Sequence, residues 1–255
     1  MTIDLISLHL KISLQLPNTM EQSHYKKGTA AVWAGEGDLN VKGAVTSPIV
    51  SSVAFSYTSL EEWHQAATGK SEGFIYSRNT NPTVAALEEK LRVLEGAEAT
   101  TSFATGMAAI SNTLFTFLTA GKRVVSLKDT YGGTSKLFLD FLPKYKIDVS
   151  LCETTNHEAI ESEIAKGCEL VYLETPTNPT LKIVDIKRLA SAAHKVGAIV
   201  VVDNTFATPI NQNPLKLGAD LVIHSATKFS MWSFRCHGWI TGWKKRTRAK
   251  GISLP

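Results

Sequence analysis

From residue 230 to residue 255 the sequence contains no aspartate or glutamate, while Arg235, Lys244, Lys245, Arg246, Arg248 and Lys250 all fall there. The net charge of +4 therefore belongs to this tail, and residues 1–229 carry 21 basic against 23 acidic side chains. A basic stretch without an accompanying recognition fold argues against nucleic-acid binding and for a solvated tail. Cysteine is also scarce. Cys152, Cys168 and Cys236 show neither metal-ligand spacing nor a paired framework, so a metal centre is not expected and a reducing, cytoplasmic setting is. No segment approaches the roughly 18 uninterrupted apolar residues of a membrane span.

What is present suits a globular chain able to bury a large core: 255 residues, 44% apolar and 20% charged. Leu8, Leu10, Ile12, Leu14 and Leu16 alternate with polar residues, which is a strand pattern and not a signal-peptide core. Met20, leading into a polar arm, is an alternative start. The organisation expected is an N-terminal arm over 1–45 (1–19 possibly spurious), a large domain over 46–229 and a tail over 230–255.

Within the large domain, helix-like and strand-like segments alternate. Residues 82–95 place proline at the first turn and leucines at 87, 91 and 94, predicting an amphipathic helix. Further helices are expected over 106–118, 135–142, 157–165 and 186–196, and strands over 124–127, 147–152, 170–174, 198–203 and 221–224. Strands that are apolar on both faces and separated by helices imply an α/β fold with a mostly parallel sheet sandwiched by helices. Ligands of such sheets gather at the carboxyl ends of the strands. Polar clusters fall there at Thr105–Gly106, 174–178, Asp203–Asn204–Thr205 and Ser225–Lys228.

Each cluster admits a plain and a chemical reading. Gly106, with Met107 after it, opens a helix whose free amides and dipole could hold a phosphate, although glycines precede many helices. Asp203 ends an apolar strand, so it either caps a turn with Asn204 or pairs with a protonated ring nitrogen; spacing does not choose. Lys228 follows Ser225 and Thr227 at the end of a buried strand and is either an exposed lysine or an amine nucleophile whose pKa is lowered by burial. Tyr131, on the Gly132–Gly133 turn, packs in a core or stacks on a flat ligand. Tyr76-Ser77-Arg78, ahead of Asn81-Pro82-Thr83, offers an arginine suited to bidentate phosphate contact, or a surface arginine.

Taken in order and spacing, Tyr76-Ser77-Arg78, Asn81-Pro82-Thr83, Thr105-Gly106-Met107-Ala108-Ala109, Tyr131-Gly132-Gly133-Thr134, Glu174-Thr175-Pro176-Thr177-Asn178-Pro179, Val202-Asp203-Asn204-Thr205 and His224-Ser225-Ala226-Thr227-Lys228-Phe229 resemble the Cys/Met-metabolism family of pyridoxal 5'-phosphate (PLP) enzymes, from about His24 to Phe229. Within that family the chain looks like a cystathionine γ-synthase. The resemblance implies a fold type I large domain with a seven-stranded type of sheet, and PLP as cofactor. It implies that Lys228 carries the cofactor and moves protons, that Asp203 pairs with the pyridine nitrogen beside Thr205, and that Tyr131 stacks on the ring and assists proton transfer. Gly106, Met107, Ser225 and Thr227 would hold the phosphate, and Asn178 would lie near the phenolic oxygen and the substrate carboxylate. Tyr76 and Arg78 would reach the phosphate of a neighbouring subunit, which implies a homodimer or homotetramer. The substrate would be an amino acid, an O-acylhomoserine undergoing γ-replacement by a thiol. Sulfhydrylase or lyase chemistry is the alternative, and Gly133, where many γ-lyases of the family have cysteine, favours a synthase.

After Phe229 the resemblance stops. The family continues with Gly-His-x-Asp, an antiparallel strand and a small C-terminal domain; here the tail holds three of the five tryptophans and none of these motifs. Reverse translation of 230–240 with one nucleotide removed permits Leu-Cys-Gly-His-Ser-Asp-Val-Met-Ala-Gly, so a lost reading frame is expected, testable by resequencing the locus. On that reading the sheet lacks its antiparallel strand and exposes an apolar surface, the C-terminal domain is missing, and the chain is either a truncated enzyme or an inactive remnant.

Overall fold

The computed structural model describes residues 25–35 and 47–228, together with the backbone of 239–243. The alternating segment at 8–16, the second methionine, residues 230–238 of the reading-frame segment and the basic residues at 244–250 lie outside the described residues.

Helices α1 (Lys27–Trp33) and α2 (Leu60–Ala67) lead into α3 (Pro82–Glu95). The last begins where Asn81 accepts a hydrogen bond from the Thr83 amide and Pro82 occupies the first turn; it stops at Gly96, whose φ of 68° suits glycine. Then follow β1 (Ala99–Phe103), α4 (Gly106–Phe117), β2 (Arg123–Leu127), α5 (Gly132–Lys136), β3 (Asp148–Cys152), α6 (His157–Ala165), β4 (Leu170–Glu174), α7 (Ile186–Lys195), β5 (Ile199–Asp203), α8 (Thr208–Asn211), β6 (Leu221–Ser225) and β7 (Trp239–Trp243).

The strands form one sheet in the order β1-β7-β6-β5-β4-β2-β3, with β7 antiparallel to both neighbours and the other recorded pairings parallel. Both faces are covered. Val171, Leu173, Val200, Val202 and Val222 pack towards α6 and α7, while Leu170, Tyr172, Ile199, Val201, Leu221 and Ile223 pack with Ile110 and Leu114 of α4. This is why β4, β5 and β6 read as unbroken apolar runs: successive side chains enter opposite cores, and all five residues of each strand are buried.

Two expectations are corrected. The antiparallel strand is present: residues 239–243 pair with Phe103 to Ala99 on one side and with Ser225 to Leu221 on the other. Strand pairing uses backbone N–H and C=O groups, and Trp-Ile-Thr-Gly-Trp is rich in strand-favouring residues, so a segment without the family's motifs can fill the slot. The helix expected at 135–142 begins earlier, at Gly132, and loosens into a π-helical turn over Leu137–Phe141 and a 3₁₀ turn over Leu142–Tyr145. Pro143 donates no amide hydrogen bond and so cannot continue a regular helix there. Strand β1 is not legible in the sequence, because Ala-Thr-Thr-Ser-Phe is short, largely polar and only half-buried.

Candidate active site

The parallel strands deliver their last residues to one edge. Glu174 ends β4 and Asp203 ends β5, side by side in register, and Ser225 ends β6. Above them lies a cavity of about 170 Å³ lined by Tyr131, Glu174, Pro176, Asn178, Asp203, Thr205, Phe206, Ser225 and Lys228. A larger hollow of about 510 Å³ beside α4 is lined by Phe103, Ala108, Ser111, Asn112, Phe115 and Thr116 and has no titratable lining. Size and chemistry therefore separate.

Asp203 is 4% exposed. One oxygen accepts from the Thr205 amide at 3.0 Å, and the other accepts from the Tyr172 hydroxyl at 3.3 Å. The turn with Thr205 is thus real, yet the carboxyl still lines the cavity. Burial raises its pKa against those hydrogen bonds and the field of His224, so a cation at the cavity would relieve it. Glu174 is perturbed further. Burial and the adjacent Asp203 charge push it from 4.5 to about 8, although the amides of Tyr131 and Asn178 donate to its two oxygens at 2.7 and 2.9 Å.

Lys228 stands at the cavity mouth and not within apolar surroundings, which corrects the expectation of a buried amine. Strand β6 ends at Ser225, and a turn over Ala226 and Thr227 lifts Lys228 into an exposed position. Its Nζ donates to Ser225 Oγ and Thr227 Oγ1, each at 3.2 Å, and those hydroxyls lie 2.7 Å apart. Thr205 Oγ1 accepts from the Ser225 amide at 2.7 Å and joins the ends of β5 and β6.

Helix α4 brings Gly106 and Met107 into its first turn. Thr105 caps that helix by accepting from the Ala108 amide at 3.1 Å, and first-turn amides have no acceptor within a helix. Met107 also reaches the tyrosine turn: a Cβ on Gly133 would stand 2.7 Å from Met107 Sδ and 2.8 Å from the Tyr131 ring. Glycine lets these two side chains converge. Tyr76 and Arg78 are not among the lining residues; the Arg78 guanidinium lies over the Tyr76 ring at 5.1 Å, and Tyr76 is 40% exposed.

The sequence places Glu174 and Pro176 in a polar cluster at the ligand edge without a role of their own, and Phe206 was missed as a lining residue. A buried tie behind the cavity was missed as well. His224 Nε2 lies 2.5 Å from Glu95 Oε1, which also accepts from Asn204 at 2.8 Å, so the end of α3 braces the residues next to Asp203 and Ser225. The available signal was a glutamate closing α3 one turn after Leu91, on the buried side of an amphipathic helix.

The residues fit PLP. Gly106, Met107 and Thr227, like Tyr76 and Arg78, are outside the cavity lining; within it a buried carboxylate in need of a cation suits a protonated ring nitrogen, the Ser225 hydroxyl suits a phosphate, and an accessible amine suits an aldehyde. Among the described residues no cluster of three or more His, Cys, Asp or Glu could hold a metal, and no helix is long and apolar enough to cross a membrane.

The family model described as Cys/Met metabolism PLP-dependent enzyme matches residues 28–231. An L-methionine gamma-lyase of Fusobacterium nucleatum is 43% identical over 211 residues, covering 82% of this chain and 53% of the relative. The crystal structure of cystathionine gamma synthase from Xanthomonas oryzae, in complex with aminoacrylate and cysteine, superposes with a TM-score of 0.79 at 36% identity, covering 89% of this chain and 57% of that one. A putative O-acetylhomoserine (thiol)-lyase from Campylobacter jejuni, solved with pyridoxyl-lysine phosphate, gives a TM-score of 0.79 at 27% identity over 87% of this chain and 54% of that one. The chain spans about half the length of the curated relatives it matches. With a fold type I sheet and a family match that covers most of its length, the chain belongs to the Cys/Met-metabolism family of PLP-dependent enzymes.

Proposed function

We propose that this chain is the cofactor-binding domain of a transsulfuration enzyme that replaces the γ-acyloxy group of an O-acylhomoserine with a thiol. The observation that carries the reading is the convergence on one cavity of Asp203, Tyr131 and Lys228, from three separate β-strand ends or turns. PLP, when bound, supplies an electron sink for the α-carbon of an amino acid. Asp203 would hold the positive ring nitrogen, and Tyr131 would stack on the ring. Ser225, Thr227 and the first-turn amides of Gly106 and Met107 would hold the phosphate. Lys228 is the base that takes and returns protons at the substrate carbons, and its two hydroxyl partners orient the amine. Asn178 would orient the substrate carboxylate. Tyr76 and Arg78 lie away from their own cavity, in keeping with service to a second subunit, so the working state would be a homodimer or homotetramer in the cytoplasm.

The synthase is preferred over a lyase because Gly133 leaves no thiol beside Tyr131, and a sulfhydrylase is the alternative of the same chemistry. A second reading is that the chain holds the cofactor without turnover. It is favoured by the cavity lining, in which Lys228 is the only cation among the described residues, leaving no guanidinium for a substrate carboxylate. Purified protein given PLP should develop a visible absorption band that Lys228→Ala abolishes. Consumption of O-acylhomoserine with cysteine supports the synthase, elimination from methionine supports a lyase, and a band without either supports the second reading. No band at all contradicts the cofactor site.

A further inference from the structure

Glu174 holds both its hydrogen bonds with loops and none with its own strand. Its Oε2 accepts from the Tyr131 amide, at the entrance to α5, and its Oε1 accepts from the Asn178 amide, in the loop between β4 and α7. Tyr131 and Asn178 line the cavity, yet neither is fixed by burial: Tyr131 is 41% exposed, and Asn178 is exposed too. The same loops meet again at the surface. Asp129 accepts from Lys182 Nζ at 2.9 Å and from Thr180 Oγ1 at 3.2 Å. Asp129 also accepts from Thr154 Oγ1 at 2.6 Å, and its side chain is 18% exposed against 31% for Lys182, whereas Glu174 is 5% exposed. The 175–184 loop adds internal bracing, with Thr177 accepting from Lys182 and Thr175 from Val184.

We infer that Glu174 is a positioning residue, a two-oxygen clamp that sets the separation of Tyr131 and Asn178 across the cofactor cavity. The inference rests on the proposed function for its purpose and on the two amide hydrogen bonds for its geometry. Above about pH 8 the Glu174 carboxylate is ionised and offers both amides an acceptor. Glutamine offers one acceptor and one donor, and the donor would face a backbone N–H. Glu174→Gln therefore frees one of the two loops.

The test labels amides by hydrogen exchange in the protein without cofactor, at about pH 8.5, and then titrates PLP. In the parent chain the Tyr131 and Asn178 amides should exchange at least about tenfold more slowly than the first-turn amide of Gly132, the loss expected for one charge-assisted hydrogen bond. Glu174→Gln should remove that protection at one or both positions, weaken PLP binding by about tenfold and alter the visible circular dichroism of the bound cofactor. Asp129→Ala, which cuts the outer tie, should change each readout much less. Equal exchange at Tyr131, Asn178 and Gly132 in the parent chain would overturn the clamp, and needs no variant to fold. So would a folded Glu174→Gln protein with parental exchange, affinity and dichroism. A parent chain with protected amides and no PLP uptake sinks the proposed function and leaves the clamp standing.

Discussion

Glu174 and Asp203 are acids at the ends of neighbouring strands, and their nearness predicts how the protein responds to pH. Below about pH 4.5 Glu174 is protonated in the folded and the unfolded chain alike. Between there and pH 8 the unfolded chain has released that proton while the folded chain keeps it, so stability falls as pH rises. The slope is at most about 1.4 kcal/mol per pH unit for one group. Asp203, also raised by burial, acts in the same direction. Urea midpoints of the cofactor-free protein should fall from pH 5 to pH 8, with a flatter profile in Glu174→Gln; a midpoint that climbs over that range contradicts the assignment. Asp203 was legible as a candidate because an acid closing the run Ile-Val-Val-Val must be buried or paired. Glu174 ends its strand in the same way, but its tie to the Tyr131 and Asn178 amides is made across 43 and 4 residues, and no sequence period reports such contacts.

Among the elements, the helices α3 and α6 and the strands β4 and β5 were legible because caps, turn glycines and two-sided apolar runs agree with one another. β1 and β7 were not, since each draws its order from a partner and not from its own pattern. β7 lies between β1 and β6, so its backbone completes hydrogen bonds on both sides. Thr241 pairs with Thr101 and with Ile223. Proline at 241 removes an amide donor from a strand bonded on both edges and should lower stability by roughly 2–4 kcal/mol. Chemical denaturation reads the loss, and increased binding of a hydrophobic dye reads the uncovered edge. An unchanged midpoint in Thr241→Pro would mean that β6 does not depend on β7. The turn after β6 shows the converse limit of sequence reasoning: the apolar run foretold burial through Ser225, but the exposure of Lys228 depends on the path of three residues beyond it.

At the scale of the whole molecule, a sheet with two cores carries its chemistry on one edge, and the separate motifs become a site only because parallel strands end together. The chain spans about half the length of the relatives it matches, so cofactor binding and turnover are separable questions for it. The central claim is that Lys228, set by Ser225 and Thr227 beside a cavity containing Asp203, is the residue that carries PLP. Borohydride treatment of the PLP-loaded protein followed by peptide mass spectrometry tests it directly. A pyridoxyl-phosphate mass increment is expected on the peptide containing Lys228 and none there in Lys228→Ala; an increment confined to other lysines, or undiminished total labelling in that variant, would rule Lys228 out as the residue that carries PLP.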